Sequence, residues 1–340
     1  MNQKSVIIRG VKDVGIESQE FERRNIGVDE CLIETEVSLI SPGTELSRVF
    51  GLKQGATYPV YPGYCSVGQV LEVGDNIDGI TSGDRVLFSG PHSNIQYYDK
   101  NKSDGGILYR LEPETKAENG ALLMMSWIAM NGILPVDVKS QDTVLINGLG
   151  TLGLILVILY KQMGVQVIAC DPEEHRALLA KKFGADTVLF GSIDTFSRRI
   201  MEATDYEGVN IAVEASGYSS GIETCIEATS YLGTILLLGS PRTAYELDVT
   251  PMFNAIHTKM LHIIGAMNRR YPYEESVGSK LSIKRSMKYL ERLLNEGVIN
   301  SDDFISHRVN ADAEELFKAY DGLMNDKNNY TGVIIDWRKK

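Results

Sequence analysis

The segment TVLINGLGTLG, residues 143–153, has the strongest structural pattern in this chain. It joins a β-branched apolar run to Gly148, Gly150 and Gly153 in the G-x-G-x-x-G spacing, and a helical pattern continues to Met163. The first glycine permits a tight turn, the second lets backbone approach a pyrophosphate, and the third lets the helix pack closely on the strand. The segment therefore predicts the strand, turn and helix that open a dinucleotide-binding unit.

An acidic residue follows the next apolar run. The run VQVIAC, residues 165–170, ends at Asp171, where a carboxylate would accept hydrogen bonds from the adenosine ribose hydroxyls. The 2′-phosphate of NADP would meet like charge there, and no Arg or Lys precedes Arg176 to neutralise it. The sequence therefore predicts NAD, rather than NADP, as the cofactor.

The middle and the beginning of the chain have different patterns. From Thr143 onward, strand-like runs alternate with helical ones, ending in TILLLGS (234–240) and MLHIIGAM (260–267). Such alternation predicts an α/β Rossmann domain with a six-stranded, doubly wound parallel sheet. The first 120 residues hold short apolar runs between Gly, Pro and Asp turns, which indicates a β-rich domain.

Composition narrows the class of protein. A chain of 340 residues with 43% hydrophobic content can build two cores, and a net charge of −11 argues against nucleic acid or an anionic membrane surface as partner. There is no apolar run of 18 residues, and the start MNQKSVIIRG has no signal-peptide core, so we expect a cytoplasmic protein. The four cysteines are scattered, as reduced packing residues are.

The segment YPVYPGYCSVGQVLEVGDNIDGITSGDRV, residues 58–86, resembles the signature of the medium-chain dehydrogenase/reductase superfamily. The segment FISHRVNADAEELFKAYDGLM and the closing TGVIIDW are similar to the end of these enzymes. The resemblance implies a GroES-like catalytic domain at 1–125 and 269–340, a Rossmann domain at 126–268, and an active site in the cleft between them. It also implies a homodimer or homotetramer joined through the edge strand near Leu261 to Met267.

The departures from that pattern concern zinc. Zinc-dependent members carry a Cys in I-C-G-T-D, a His in G-H-E and a later acidic or Cys ligand; this chain has Ser41, Tyr64 and then Met124 or Met125 at those places. The loop after Phe88, where relatives hold a structural zinc on four cysteines, has none. We therefore expect no zinc at either place. One alternative stays open, an unusual metal site. Its ligands would be Glu45, Cys65 and His92.

The form S-P-G-T-E followed by G-Y resembles a branch with bacteriochlorophyllide hydroxyethyl dehydrogenases and bi-domain sugar-type oxidoreductases. This implies oxidation of a secondary hydroxyl. Together with the NAD predicted from Asp171, we expect an NAD-dependent dehydrogenase of a polyol, cyclitol or sugar-like substrate. Two alternatives stay open. One is a quinone or enoyl reductase of the same superfamily, although those usually take NADPH. The other is a cofactor-binding protein without catalysis.

Without a metal, other groups must stabilise the substrate alkoxide. Tyr64 stands where a ligand is missing, and a phenol can both donate to an oxyanion and pass on a proton. Thr44 matches the position whose hydroxyl contacts the substrate oxygen in the superfamily. Glu45 could hold substrate hydroxyls or orient Thr44, and His92 could act as general base. Each also has a purely structural interpretation. Tyr64 could be a packed aromatic and Thr44 a turn residue. Glu45 could cap the following helix, and His92 could be a loop histidine whose nitrogens are hydrogen-bonded within the protein.

The remaining predicted contacts are to the cofactor. They lie in the glycine loop and where parallel strands end, because dinucleotides bind at the carboxyl edge of such a sheet. They are Gly148, Gly150, Thr151, Leu152, Gly153, Asp171, Ser216, Gly217, Gly239, Ser240, Gly265 and Ala266.

Overall fold

The structure is a computed structural model that describes residues 2–52, 55–102, 106–279 and 281–338. The chain forms two compact units. The first unit comprises the residues up to Met125 and those from Pro272 onward, and the second unit is Ser126–Tyr271. The second boundary thus falls slightly later than the predicted residue 268.

The strands of the described ranges are as follows, in chain order. They are β1 Asn2–Gly10, β2 Asp13–Glu20, β3 Glu30–Leu39, β4 Ser66–Val73, β5 Arg85–Phe88, β6 Ile95–Asp99, β7 Leu108–Arg110, β8 Thr143–Asn147, β9 Gln166–Cys170, β10 Thr187–Leu189, β11 Val209–Glu214, β12 Thr229–Leu237, β13 His262–Gly265, β14 His307–Asn310 and β15 Val333–Asp336.

The α-helices are α1 Pro42–Val49, α2 Ala117–Met130, α3 Thr151–Gln162, α4 Glu174–Lys182, α5 Phe196–Ala203, α6 Ser219–Ala228, α7 Thr250–Lys259, α8 Ile283–Asn295 and α9 Ala313–Asn325. None of them, within the part of the chain that the structure describes, is long and apolar enough to cross a membrane.

The second unit confirms the predicted fold class. Its six strands run in the order β10-β9-β8-β11-β12-β13, and every pairing is parallel. The central strands β8 and β11 are buried almost throughout, because helices cover both faces of a doubly wound sheet. The order reverses between β8 and β11, and a ligand crevice is expected at the carboxyl ends of such strands.

Two elements of this unit differ from the sequence-based expectation. Strand β12 begins at Thr229, directly after α6, rather than at residue 234; its register on β11 shifts between Val209 and Ile211. Helix α7 was not predicted. None of its residues is fully buried, although Met252, Ala255 and Ile256 pack against the core of this unit. Three apolar positions in a ten-residue segment are too short a pattern to have marked a helix.

The first unit is built on a mixed sheet. Its strands run β14-β15-β3-β4-β5-β7, with β6 also paired to β3, and a separate hairpin joins β1 to β2. A core of apolar side chains binds the beginning of the chain to its end: it includes Ile8, Leu46, Leu316, Val333 and Trp337. Helix α1 therefore packs against α9 and β15, although hundreds of positions separate them in the sequence.

Candidate functional site

Two of the predicted catalytic residues, Thr44 and Glu45, lie in the first turn of α1, shortly after the end of β3. Helix α1 begins at Pro42, after Ser41 in extended conformation, and the carboxylate of Glu45 accepts the backbone N–H of Ser41 at 2.7 Å. The side chain thus folds back onto the helix start, where an acidic group also favours the helix dipole. This turn holds Ser41, Thr44 and Glu45 in one short stretch.

Three hydroxyls form a cluster at this turn, which we call the hydroxyl cluster: Ser41, Thr44 and Tyr64. The Tyr64 hydroxyl is hydrogen-bonded to Ser41 Oγ, and the Thr44 side chain lies close enough to act on its pKa. Thr44 is exposed and Tyr64 partly so. Desolvation raises the pKa of Tyr64 above its ordinary value, and the Ser41 and Thr44 hydroxyls only partly oppose the rise. Tyr64 is therefore a neutral phenol at physiological pH, able to donate a hydrogen bond.

The other two predicted residues form a buried pair beside this cluster. His92 is fully buried, and its Nε2 lies 3.1 Å from Glu45 Oε2. Its other nitrogen, Nδ1, lies 2.8 Å from Ser38 Oγ. Both imidazole nitrogens are thus engaged inside the protein. The structure brings all four predicted residues to one place but gives only Tyr64 and Thr44 an exposed face.

A close backbone approach makes room for this histidine. Gly63 has φ +116°, and a Cβ there would lie 2.6 Å from the backbone N of His92. Any other residue would both strain the backbone and push the histidine loop away. The G-Y-C segment and the His92 loop are therefore packed directly on each other.

Two partners of the buried pair come from the end of the chain. The Tyr320 hydroxyl donates to Glu45 Oε2 at 2.6 Å, and the indole Nε1 of Trp337 donates to Ser38 Oγ at 2.9 Å. Sequence reasoning missed Tyr320, Trp337 and Ser38. Their surroundings in the sequence are typical of core segments. The partners in these two bonds lie 275 and 299 positions apart in the sequence, and no local pattern indicates contacts over that separation.

The glycine loop of the second unit has the geometry that a dinucleotide requires. A Cβ on Gly153 would collide with the carbonyl of Gly148, so close packing of α3 on the loop demands glycine there. Gly150, just before α3, faces open space. The backbone N–H groups of the first helical turn, from Thr151 and Leu152 onward, have no partner within the helix and suit an anion.

Asp171 is tied into this loop. Its Oδ2 accepts the backbone N–H of Leu149 at 2.8 Å, and its Oδ1 accepts that of Glu173 at 2.9 Å. The guanidinium of Arg176 lies 3.8 Å from Oδ2. The carboxylate is 4% exposed and so has a structural role in holding the loop, whichever cofactor binds.

Most of the other predicted cofactor contacts surround one cavity of about 180 Å³ at the carboxyl ends of β11, β12 and β13. Its lining includes Gly217, Gly239, Ser240, Gly265 and Ala266. Ser216 does not line it and instead hydrogen-bonds the carboxylate of Glu214 through both its amide and its hydroxyl.

Glu214 is a buried cavity residue that sequence reasoning missed. It is 2% exposed, and desolvation raises its pKa. Glu214 is the last residue of β11, directly before the predicted contacts Ser216 and Gly217, and this position could have marked it as a residue of the cofactor site.

Known proteins match this arrangement. The family model for zinc-binding dehydrogenases matches residues 151–282. D-guloside 3-dehydrogenase of Shigella flexneri is 26% identical, over 75% of this chain and 71% of the relative. L-threonine 3-dehydrogenase of Pyrococcus furiosus is 27% identical, over 94% of this chain and 97% of the relative. Galactitol-1-phosphate dehydrogenase from Escherichia coli superimposes with a TM-score of 0.82 at 20% identity, covering 98% of this chain and 99% of that one. Residues 151–282 thus match the zinc-binding dehydrogenase family, and the chain as a whole is similar to medium-chain dehydrogenases/reductases.

The chain is accordingly an alcohol dehydrogenase-like oxidoreductase of a nicotinamide-dependent superfamily. Solved neighbours include one described with NADH and one with NADP, so the neighbours do not distinguish the two cofactors. The glycine loop and the cavity fit such a group. When bound, a nicotinamide accepts or donates hydride, while the chain's own residues orient the reactants and move the proton.

The residues at the places of the superfamily's zinc ligands do not fit a zinc ion. Ser41 and Tyr64 offer neutral hydroxyls, and burial raises the pKa of the Cys65 thiol, whereas zinc binds the thiolate. The Glu45 carboxylate is occupied by its protein donors. Among the described residues, no group of three His, Cys, Asp or Glu side chains is placed to hold a metal, which gives the alternative site at Glu45, Cys65 and His92 no support.

Proposed function

We propose that this protein is a zinc-independent, NAD-dependent dehydrogenase that oxidises a secondary hydroxyl of a polyol, cyclitol or sugar-like substrate. The observation that carries the proposal is the hydrogen-bonded Tyr64–Ser41 pair, which stands where zinc-dependent relatives have metal ligands. Relatives and neighbours named for a guloside, threonine, galactitol-1-phosphate and butanediol support a hydroxyl-bearing substrate.

The hydroxyl cluster provides the proton chemistry of this proposal. Oxidation of R₂CHOH by NAD yields the ketone, NADH and one proton, with the hydride going to the nicotinamide. The Tyr64 oxygen accepts the substrate proton while its own proton passes to Ser41 or Thr44. Thr44 is exposed and can release the proton to water. A fixed phenol also stabilises the partial negative charge that develops on the substrate oxygen.

The cofactor preference rests on Asp171. Its carboxylate lies at the end of β9, where the 2′-phosphate of NADP would approach negative charge. The nearby Arg176 partly offsets this charge, so the preference is a matter of degree that kinetics can measure. We propose NAD as the physiological cofactor.

The experiment is an assay of the purified full chain. NADH formation is followed with NAD across a panel of polyols, cyclitols, amino sugars and sugar phosphates, with NADP as the matched control and a quinone and an enone in the reductive direction. Turnover of one hydroxyl compound, faster with NAD, supports the proposal. Reduction of the quinone or enone alone would replace it with the reductase alternative, and NADH binding without any turnover would replace it with the non-catalytic one.

We also propose that two copies of the chain associate through β13. This strand lies at the end of the parallel sheet, and the side chains around it are unusually apolar for an exposed edge: Phe253, Met260, Ile263 and Met267 are 40–65% exposed. Sedimentation of Ile263→Lys should show monomers. Leu178→Lys, at an exposed position on α4, is the matched control and should sediment as wild type. A monomeric wild-type protein would contradict this assignment.

A further inference from the structure

The buried pair Glu45–His92 is the end of a longer hydrogen-bonded chain. It runs from the indole Nε1 of Trp337 to Ser38 Oγ at 2.9 Å, from Ser38 Oγ to His92 Nδ1 at 2.8 Å, and from His92 Nε2 to Glu45 Oε2 at 3.1 Å. Trp337 is 8% exposed and the other three side chains 0–1% exposed. Water therefore does not complete these bonds, and donors and acceptors must match one another.

Donor and acceptor rules give this chain a direction. An indole nitrogen can only donate, so Ser38 Oγ accepts from Trp337. Among the contacts of the described residues, His92 Nδ1 is the acceptor available to the buried Ser38 hydrogen, so Ser38 donates to Nδ1. At the other end, the Glu45 carboxylate already accepts the Ser41 N–H and the Tyr320 O–H. It acts as an acceptor, so His92 Nε2 donates to it. In this arrangement Nε2 carries a proton and Nδ1 is an acceptor.

The same carboxylate connects the buried pair to the hydroxyl cluster. Its Oε1 holds the backbone N–H of Ser41 at 2.7 Å, and the side chain of Ser41 bonds the Tyr64 hydroxyl. No hydrogen bond links Ser41 Oγ to Glu45 in the described structure, so protons do not pass between His92 and Tyr64 along this route. The pair can act on Tyr64 only by holding Ser41 in position.

We propose that Trp337 and Tyr320 are positioning residues of the active site: Trp337 fixes the protonation of His92 through Ser38, and Tyr320 fixes the Glu45 carboxylate that holds Ser41 against Tyr64. The reaction that they support is the proposed dehydrogenation. The assignment itself concerns a hydrogen-bond arrangement that exists whether or not that function is correct.

The first test reads the imidazole directly. His92 is the only fully buried histidine among the five in the chain, and ¹⁵N-histidine NMR at pH 7 reports which nitrogen is protonated. We expect Nε2 protonated and Nδ1 an acceptor in the wild type. In Trp337→Phe the Ser38 hydroxyl loses the donor that keeps its hydrogen directed at His92, so the Nδ1 signal should move away from its wild-type position. Protonated Nδ1 in the wild type, or an unchanged spectrum in the variant, would overturn the assignment.

A second replacement guards against misfolding of Trp337→Phe. Benzothienylalanine has the shape of tryptophan without the N–H, and it can replace tryptophan throughout the chain. The other tryptophan, Trp127, is a suitable background because its Nε1 has no hydrogen-bond partner among the described residues. The same change at Nδ1 is expected, and its absence would again overturn the proposal.

Kinetics then test the consequence for turnover. Trp337→Phe and Tyr320→Phe should each lower kcat about tenfold, because a misplaced reacting group slows catalysis, while KM for NAD stays the same. The matched control is Tyr109→Phe, which removes a comparable hydrogen bond, 2.8 Å long, to the buried Glu291. Equal losses of kcat in Tyr320→Phe and Tyr109→Phe would reduce Tyr320 to a structural residue. An inactive wild type would contradict the proposed function, while the NMR result would still decide the hydrogen-bond arrangement.

Discussion

Glu45 and Glu291 are both carboxylates buried in the first unit, 1% and 2% exposed. Each accepts one tyrosine hydroxyl, one backbone N–H and one further side chain. For Glu291 these are Tyr109 at 2.8 Å, Glu112 N at 2.8 Å and the Thr115 hydroxyl at 2.7 Å. For Glu45 the third donor is an imidazole, His92, instead of a hydroxyl.

The difference lies in what surrounds each carboxylate. Glu291 joins α8 to the segment between β7 and α2, and its partner Thr115, which in turn accepts from Asn295, only extends a structural network. Glu45 holds Ser41, whose hydroxyl contacts the partly exposed Tyr64. Burial and full hydrogen bonding therefore do not identify a functional carboxylate. Its connection to a reactive group with access to solvent does.

The largest loss of activity is expected from a substitution beside Glu45, and the matched substitution beside Glu291 should cause none. Tyr64→Phe removes the proposed donor to the substrate oxygen, and we expect kcat to fall about 10²–10³-fold, the usual cost of one lost oxyanion donor. Its matched control is again Tyr109→Phe, which should leave kcat unchanged. Steady-state assays with the best substrate of the panel measure both. Unchanged turnover in Tyr64→Phe would remove Tyr64 from the mechanism.

The two carboxylates can be compared by the same substitution. Glu45→Gln and Glu291→Gln each place an amide where several donors converge, so each should lower the free energy of unfolding by about 1–3 kcal/mol. Only Glu45→Gln should also lower kcat, by about tenfold, because only Glu45 holds Ser41. Urea unfolding and kinetics on both variants provide the measurements. A similar kcat in the two variants would show that Glu45 supports turnover no more than Glu291 does.

A third buried carboxylate extends the comparison to the second unit. Asp171→Asn should raise the ratio of kcat/KM for NADP to that for NAD about tenfold, since like charge near the 2′-phosphate is removed. Asp186→Asn is the control: this carboxylate also accepts a backbone N–H and pairs with a lysine, but at the other end of β9. If both variants shift the ratio equally, Asp171 does not select the cofactor.

The smallest effect concerns the outer part of the structural network. Asn295 donates to the Thr115 hydroxyl at 2.8 Å. Asn295→Ala should cost about 1 kcal/mol of stability with unchanged kcat. Chemical denaturation beside the kinetic assay measures this. A fall in kcat would show that the Glu291 network also reaches the active site.

Much of the fold could be predicted from the sequence, because local patterns determine it. The strand, glycine and helix pattern at 143–163 and the alternating runs after it predict the parallel sheet, and all six strands are present. Helix α7 escaped prediction because it is short and only partly buried, with Met252, Ala255 and Ile256 as its contacts to the core. The early start of β12 escaped because it directly continues α6 through a register shift.

The site was predictable only in part. Tyr64 and Thr44 were found because they replace or match residues of a known motif, and the structure places them together. The donors Tyr320 and Trp337 could not be found, because 275 positions separate Tyr320 from Glu45 and 299 separate Trp337 from Ser38. Pairing over such distances depends on how α1 packs against the end of the chain, and no local pattern carries that information.

The proposed mechanism has hydroxyl groups in place of the metal. The most direct measurement is metal content per chain, determined together with NAD-dependent turnover before and after chelation and after adding zinc back. The proposal predicts metal well below one equivalent and turnover that chelation leaves unchanged. One zinc per chain, lost with activity on chelation and restored with it, would contradict the account.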